Sequence, residues 1–279
     1  MNILFNTLGL KDWLEFLINT SREVCSAIRP IIGSASASEV VGKGAGGDWT
    51  LKIDKLAEDF IINSLKKKNT SCIVVSEELG IMEIGSKPDV YIVIDSIDGT
   101  TNAIRGVPFF CTSIAMSKGN SIKDVDVGVV LNLSDGTIFY AKRGKGAYMN
   151  DRKIKTSDRA LLEDAVIGID FSKADEKVIT RLMPLFRKVR HIRHFGANAL
   201  EICYVASGFI DAFVDVRSML RVTDIAASYI ILKESGGLIL TPDGKELDYI
   251  LEPTQKVSFI AASNPIIYDN ILKITELGK

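Results

Sequence analysis

The sequence predicts an α+β first half that runs into an α/β second half, and three observations point there. Two apolar stripes at three- and four-residue steps flank a small, polar stretch near the N-terminus. Short β-branched runs then crowd residues 72 to 141. From about residue 160, helix-like and strand-like segments alternate. The 279 residues suffice to bury a sizeable core, as one compact unit with halves at 1–160 and 161–279. No internal repeat and no long linker separates the halves.

In chain order, Trp13, Leu14, Leu17, Ile18, Val24, Cys25 and Ile28 form the apolar face of a helix over 11–29, stopped by Pro30. Ile53, Leu56, Ala57, Phe60, Ile61 and Leu65 repeat the pattern over 53–66, which puts Asp54 in a first turn. Between them, residues 33–38 and 42–47 are too small and polar to pack, and read as a mobile loop. Strands are expected at 72–75 and 90–94, and further strands at 109–116, 125–131 and 137–141, with Ser134-Asp135-Gly136 as a hairpin turn, suggest an antiparallel sheet. The second half reads as helices at 175–188, 198–207, 224–234 and 265–275, with strands at 209–215, 237–241 and 257–262.

Thirty-four basic residues against 35 acidic ones give a formal charge of -1, so no global field draws nucleic acid or an anionic membrane. Lys66-Lys67-Lys68 falls where a helix ends and is a solvated, dipole-favoured turn. Cys25, Cys72, Cys111 and Cys203 contain no C-x-x-C pair, which argues for reduced, buried thiols. Met1–Phe5 has no basic flank and is not a signal peptide, and no charge-free apolar run reaches the roughly 18 residues of a membrane span. A cytoplasmic protein is expected.

The chemistry gathers at acidic strand ends. The buried run Val90-Tyr91-Ile92-Val93-Ile94 breaks into Asp95-Ser96-Ile97-Asp98-Gly99-Thr100-Thr101-Asn102. Two aspartates three apart on such a turn can face one spot, and Gly99 admits a close ligand. A solvated surface turn would use the same residue types. Glu77 ends the preceding strand, Asp54 opens one helix and Asp224, after Thr223, opens another; Glu78 is expected in solvent. Hard oxygen donors and only two histidines suit Mg²⁺, with Mn²⁺ as a substitute, over Zn²⁺. Ions clustered by shared carboxylates polarise a phosphoryl group and activate water, the chemistry of phosphate monoester hydrolysis without a covalent nucleophile.

Four other candidate motifs do not hold. Gly42-Lys43-Gly44-Ala45-Gly46-Gly47 spells G-x-G-x-x-G, but no strand precedes it and no helix follows, so it suits a lid better than a dinucleotide loop. Asp124-Val125-Asp126 has its apolar strand after the acids instead of before them, unlike a haloacid-dehalogenase nucleophile. An EF-hand starting at Asp95 would need an acid where Gly106 stands. His191 and His194, three apart on a strand, face opposite ways and share no metal.

Four blocks, Asp54–Glu58, Ser76-Glu77-Glu78, Asp95–Asn102 and Thr223–Ala227 with Gly236-Gly237 beyond, resemble the inositol monophosphatase family across most of the chain. The resemblance implies a layered αβαβα sandwich, usually a homodimer, often lithium-sensitive. It implies two or three Mg²⁺ held by Glu77, Asp95, Asp98, Asp224 and the Ile97 carbonyl, most of them in the first half. It also implies that Asp54 and Thr100 deprotonate water, that the amides of Gly99 and Thr100 hold phosphate, and that Lys43 rides a lid toward a third metal. Arg193, Gly196, Ala197 and Asn198 would line the leaving-group side. Ser96 replaces the family's usual proline, Thr223 a frequent tryptophan, and Arg217 an acid that contacts inositol, which places a positive charge where a second substrate phosphate would bind. The segment Phe213–Asp224 looks like archaeal enzymes acting on both fructose 1,6-bisphosphate and inositol monophosphate. An adenosine 3′,5′-bisphosphate phosphatase and a catalytically silent binding homologue are the alternatives.

Overall fold

The structure, a computed structural model, describes residues 9–277, with the side chains of its first helix from Trp13 onward. The expectation about Met1–Phe5 lies outside the described residues. Helix α1 (Gly9–Ile28) buries Trp13, Leu17, Val24, Cys25 and Ile28, as their spacing requires, and a 3-10 turn containing Pro30 follows it. Helix α2 (Lys52–Lys67) packs beside it through Ile53, Ala57, Ile61 and Leu65.

The glycine-rich stretch between them is not a loop throughout. Strands β1 (Val40–Lys43) and β2 (Trp49–Leu51) pair as an antiparallel hairpin, closed where the Gly44 N–H donates to the Asp48 carbonyl at 2.9 Å. Most of the glycines sit in the turn, and the flanking Val40, Val41, Trp49 and Thr50 are strand formers.

A large sheet follows, built from β3 (Cys72–Ser76), β4 (Gly80–Ile84), β5 (Tyr91–Asp98), β6 (Cys111–Ser117), β7 (Val125–Asn132), β8 (Ile138–Lys142), β9 (Ala147–Met149) and β10 (Arg152–Lys153). Its order is β10-β9-β8-β7-β6-β5-β3-β4, and a short helix α3 (Thr100–Arg105) leaves the end of β5. The strands β6, β7 and β8 pair antiparallel as expected, but the whole sheet is mixed, because β3 and β5 run parallel, with β4 folding back against the outer edge of β3.

The second sheet takes β11 (Val166–Ile169), β12 (His191–Arg193), β13 (Ala212–Asp215), β14 (Leu238–Leu240) and β15 (Phe259–Ala262), in the order β12-β11-β13-β15-β14. Helices α4 (Glu176–Lys188), α5 (Asn198–Ala206), α6 (Ala226–Glu234) and α7 (Pro265–Thr275) alternate with these strands.

Three apolar cores define five layers in αβαβα order. Helices α1 and α2 cover one face of the large sheet, α5 and α6 are buried between the two sheets, and α4 and α7 cover the far face of the small one. The middle pair is apolar nearly all round, as a helix enclosed on both sides must be. Gly128 of β7 lets α6 approach, since a Cβ there would stand 2.3 Å from the Ala227 carbonyl. No described helix is long and apolar enough to cross a membrane.

Candidate active site

Backbone register brings the first two acids together. Ser76 at the end of β3 pairs with Ile94 of the parallel strand β5, so Glu77 and Asp95 are the next residues on adjacent strands. Parallel neighbours lie about 4.8 Å apart. Past Asp95 the pairing of β5 with β6 is irregular until Asp98, which lets two aspartates of one turn face inward. Gly99 follows with φ of 88°, and a Cβ there would meet the Gly196 carbonyl at 3.0 Å, so glycine is required both by conformation and by space.

Oxygens of Glu77, Asp95 and Asp224 lie within 4.8 Å of one another. Burial, together with the neighbouring acids, pushes Glu77 up to about 8 and Asp95 well above the ordinary carboxylate range. Burial likewise raises Asp224, and it raises Asp98 to about 7. Acids this close cannot all ionise without a cation. An all-oxygen set fits a hard divalent ion such as Mg²⁺. Asp98 lies outside the tightest cluster: its Oδ2 accepts the Ala199 N–H at 2.6 Å, at the start of α5, and the Cys111 thiol at 3.7 Å. Asp224 does not open a helix, because α6 begins at Ala226. It sits in the bend before it, accepting the Arg221 N–H at 2.9 Å and the Thr223 hydroxyl at 3.1 Å.

Beside the acids, Thr100 Oγ1 stands 3.0 Å from Asp54 Oδ1 and 2.9 Å from the Ile97 carbonyl. Burial first, then the charge of Glu78, raises Asp54 to about 7. Ser96, in place of the expected proline, donates from Oγ to the Asp54 carbonyl at 3.3 Å and so ties β5 to α2. A cavity of about 340 Å³ is walled by Asp54, Glu77, Asp95, Thr100, Thr101 and Gly196, with the hairpin's Asp48 and Trp49 at its edge.

Glu78 is not free in solvent. It lines this cavity and accepts a hydrogen bond from Thr50, while the carbonyls of Glu77 and Glu78 accept the Gly46 and Ala45 amides at 2.9 and 3.0 Å. Arg221, which sequence reasoning passed over, reaches Glu77 Oε1 at 2.5 Å and the Gly46 carbonyl at 3.0 Å, and pairs with Asp48. Its hydrogen bond holds Asp48 below the usual carboxylate range. Its position three residues before Asp224 was the available signal, but its partners lie more than 140 residues away.

A second cavity, of about 370 Å³, shares Thr101 and Gly196 with the first and adds Asn102, Asp170, Ser172, His194 and Asn198. Glu201 of α5 holds its wall by accepting the Phe195 and Gly196 amides at 3.0 and 3.1 Å. Of the residues expected there, Gly196 and Asn198 line it, and Ala197 is fully buried behind it. Arg193 is exposed and folds back onto the Ile192 carbonyl. Lys43 is exposed on the hairpin, opposite Trp49. Arg217 corrects the expectation of a free positive charge: its side chain is 5% exposed, and its guanidinium pairs with Asp215 at 2.5 Å and Asp170 at 2.6 Å and donates to the Ser172 carbonyl at 2.7 Å. Two carboxylates already neutralise it, so it braces the cavity wall and leaves no charge over for a second phosphate.

Comparison with known proteins agrees with this geometry. The family model described as the inositol monophosphatase family matches residues 10–277. A fructose-1,6-bisphosphatase/inositol-1-monophosphatase of Methanocaldococcus jannaschii is 38% identical over 94% of this chain and 99% of its own. A bifunctional NADP phosphatase/NAD kinase of Methanococcus maripaludis is 37% identical over 94% of this chain, which spans only 49% of that relative's length. A crystal structure of an inositol monophosphatase–fructose 1,6-bisphosphatase superposes with a TM-score of 0.85 at 38% identity, covering 94% of this chain and 99% of that one.

Proposed function

The chain belongs to the inositol monophosphatase family, and from that premise we propose that it is a Mg²⁺-dependent phosphatase hydrolysing fructose 1,6-bisphosphate and inositol 1-phosphate. The convergence of Glu77, Asp95 and Asp224 within 4.8 Å, in a cavity that also holds Asp54 and Thr100, carries this proposal. The names of relatives that align over nearly their whole length supply the substrates. With the Ile97 carbonyl and Asp98, these acids would hold two or three ions. Bound Mg²⁺, or Mn²⁺ in its place, would supply Lewis-acid polarisation of the ester and a lowered pKa for water.

The chain's own groups do the rest. The Thr100 hydroxyl has one proton for two acceptors; when that proton points at Asp54 Oδ1, the hydroxyl can take a proton from water on its oxygen as it passes its own to the carboxylate. A carboxylate near 7 suits that role at neutral pH. The Gly99 and Thr100 amides would take the phosphate oxygens, Lys43 would reach toward a third ion from the hairpin, and the Gly196–Asn198 turn would meet the alcohol. A cytoplasmic homodimer belongs to the same proposal, on family resemblance.

A second substrate class has its own support. Phe171 is 41% exposed, its ring lies 5.4 Å from that of His194 on the second cavity, and two relatives are named NADP phosphatase/NAD kinase. Such an aromatic pair offers a face to a nucleotide base. One panel decides: phosphate release from fructose 1,6-bisphosphate, inositol 1-phosphate, NADP and adenosine 3′,5′-bisphosphate, with Mg²⁺, with chelator and with added Li⁺. Release should require Mg²⁺ and fall more than tenfold in Asp98→Asn. If no ester in the panel is hydrolysed, or Asp98→Asn keeps wild-type turnover, the proposal is wrong.

A further inference from the structure

Arg221 supplies neither a ligand nor a hydroxyl to this chemistry, yet it is only 8% exposed and its polar contacts fall on the acid cluster and the hairpin. Nη1 donates to Glu77 Oε1 at 2.5 Å, Nη2 donates to the Gly46 carbonyl at 3.0 Å and pairs with Asp48, and the backbone N–H donates to Asp224 Oδ2 at 2.9 Å. One residue thus touches two of the three convergent carboxylates and the turn of the hairpin. Gly46 belongs to the same fit, because a Cβ there would stand 2.9 Å from Nε and 3.1 Å from Nη2. Nε is itself buried and without a partner, so the guanidinium gives up a hydrogen bond to hold this position.

We infer that Arg221 is a positioning residue: it orients the Glu77 carboxylate and latches the Val40–Leu51 hairpin to it. Closure of the hairpin over the cavity and the setting of that ligand are then a single equilibrium. A planar fork serves two sites with two nitrogens, whereas lysine offers one. Arg221→Lys therefore keeps the charge and loses the latch. The inference rests on the proposed function only in treating Glu77 as a metal ligand; the latch is a property of the metal-free protein.

Two measurements test it on the whole chain. Amide hydrogen exchange across residues 42–49, without metal, should accelerate at least tenfold in Arg221→Lys and in Gly46→Ala, and no further in the double variant, since both break the same contact. Exchange in β7 should stay unchanged, which separates a released hairpin from a damaged fold. Binding of Mn²⁺, followed by loss of the free-ion electron paramagnetic resonance signal, should weaken at least fivefold in both variants. Unchanged exchange in both variants would refute the latch. Faster exchange with unaltered Mn²⁺ affinity would overturn the positioning of Glu77. Neither readout uses a substrate, so failure of the substrate panel would leave these results standing, and the reverse.

Discussion

Asp54→Asn separates catalysis from stability with opposite signs. Asp54 is 4% exposed, and burial lifts it from an ordinary 3.8 to about 7. That is a change of about three decades in proton affinity, worth on the order of 4 kcal/mol at ~1.4 kcal/mol per decade. The sign follows from linkage. Between those two values the unfolded chain has released a proton that the native chain retains, so wild-type stability falls as pH rises toward 7, and above it the full cost of a buried charge remains. Asparagine removes that cost: its one oxygen can accept the Leu51 amide, which in the wild type donates at 3.3 Å, and its Nδ2 can donate to Thr100 Oγ1, whose proton stays on the Ile97 carbonyl. Metal-free Asp54→Asn should therefore be more stable than wild type above about pH 7, by up to ~4 kcal/mol. Its kcat with Mg²⁺ should fall by roughly 10²–10⁴, the usual worth of a positioned base. Urea unfolding at acidic and alkaline pH, paired with phosphate release, checks both. A variant that is less stable at alkaline pH, or that turns over within tenfold of wild type, would refute the reasoning.

Gly128→Ala should push α6 off the large sheet, because the new Cβ would stand 2.3 Å from the Ala227 carbonyl and 2.6 Å from Ile230 Cγ2. Overpacking of this kind costs about 1–3 kcal/mol or more, and a drop of roughly 2–4 °C in Tm per kcal/mol is expected for a chain of this size. An unaltered melting curve would contradict the packing described. Glu201 is raised to about 8, first by burial, and its Oε2 has no partner. Metal-free wild type should lose stability between its ordinary 4.5 and 8, by up to ~1.4 kcal/mol per pH unit from this group. Glu201→Gln keeps an acceptor for the Phe195 and Gly196 amides and should flatten that slope; an identical slope in both proteins would dismiss the assignment.

Much of the fold was legible because helix periodicity is a local signal. The stripe expected at 53–66 is α2 at Lys52–Lys67, and the helix expected at 265–275 is α7 at Pro265–Thr275. Acids at the ends of apolar runs were equally legible, and Glu77, Asp95 and Asp224 do converge. What failed was directional or long-range. A buried strand reads the same in either direction, so the parallel β3–β5 pair was invisible. The hairpin's valines and tryptophan were masked by the glycines of its turn. Arg217 looked like spare charge because the sequence does not show Asp170 folding back onto it from 47 residues away. Arg221 had no visible purpose until the hairpin was in place.

The pairing of β3 with β5 also sets which lengths of chain can vary. Glu77 and Asp95 hold their spacing through ladder hydrogen bonds between Ile73–Ser76 and Tyr91–Ile94, not through the chain that joins the two strands. That connection passes through β4 and then Gly85-Ser86-Lys87-Pro88-Asp89, which takes no part in the β3–β5 ladder. Residues inserted there would lengthen a surface excursion and leave the two acids where they are. A single residue inserted within β3 or β5 would shift one acid past the other and turn alternate side chains to the opposite face. An indel map of this region should therefore show a tolerant gap between two segments that accept no change of length at all.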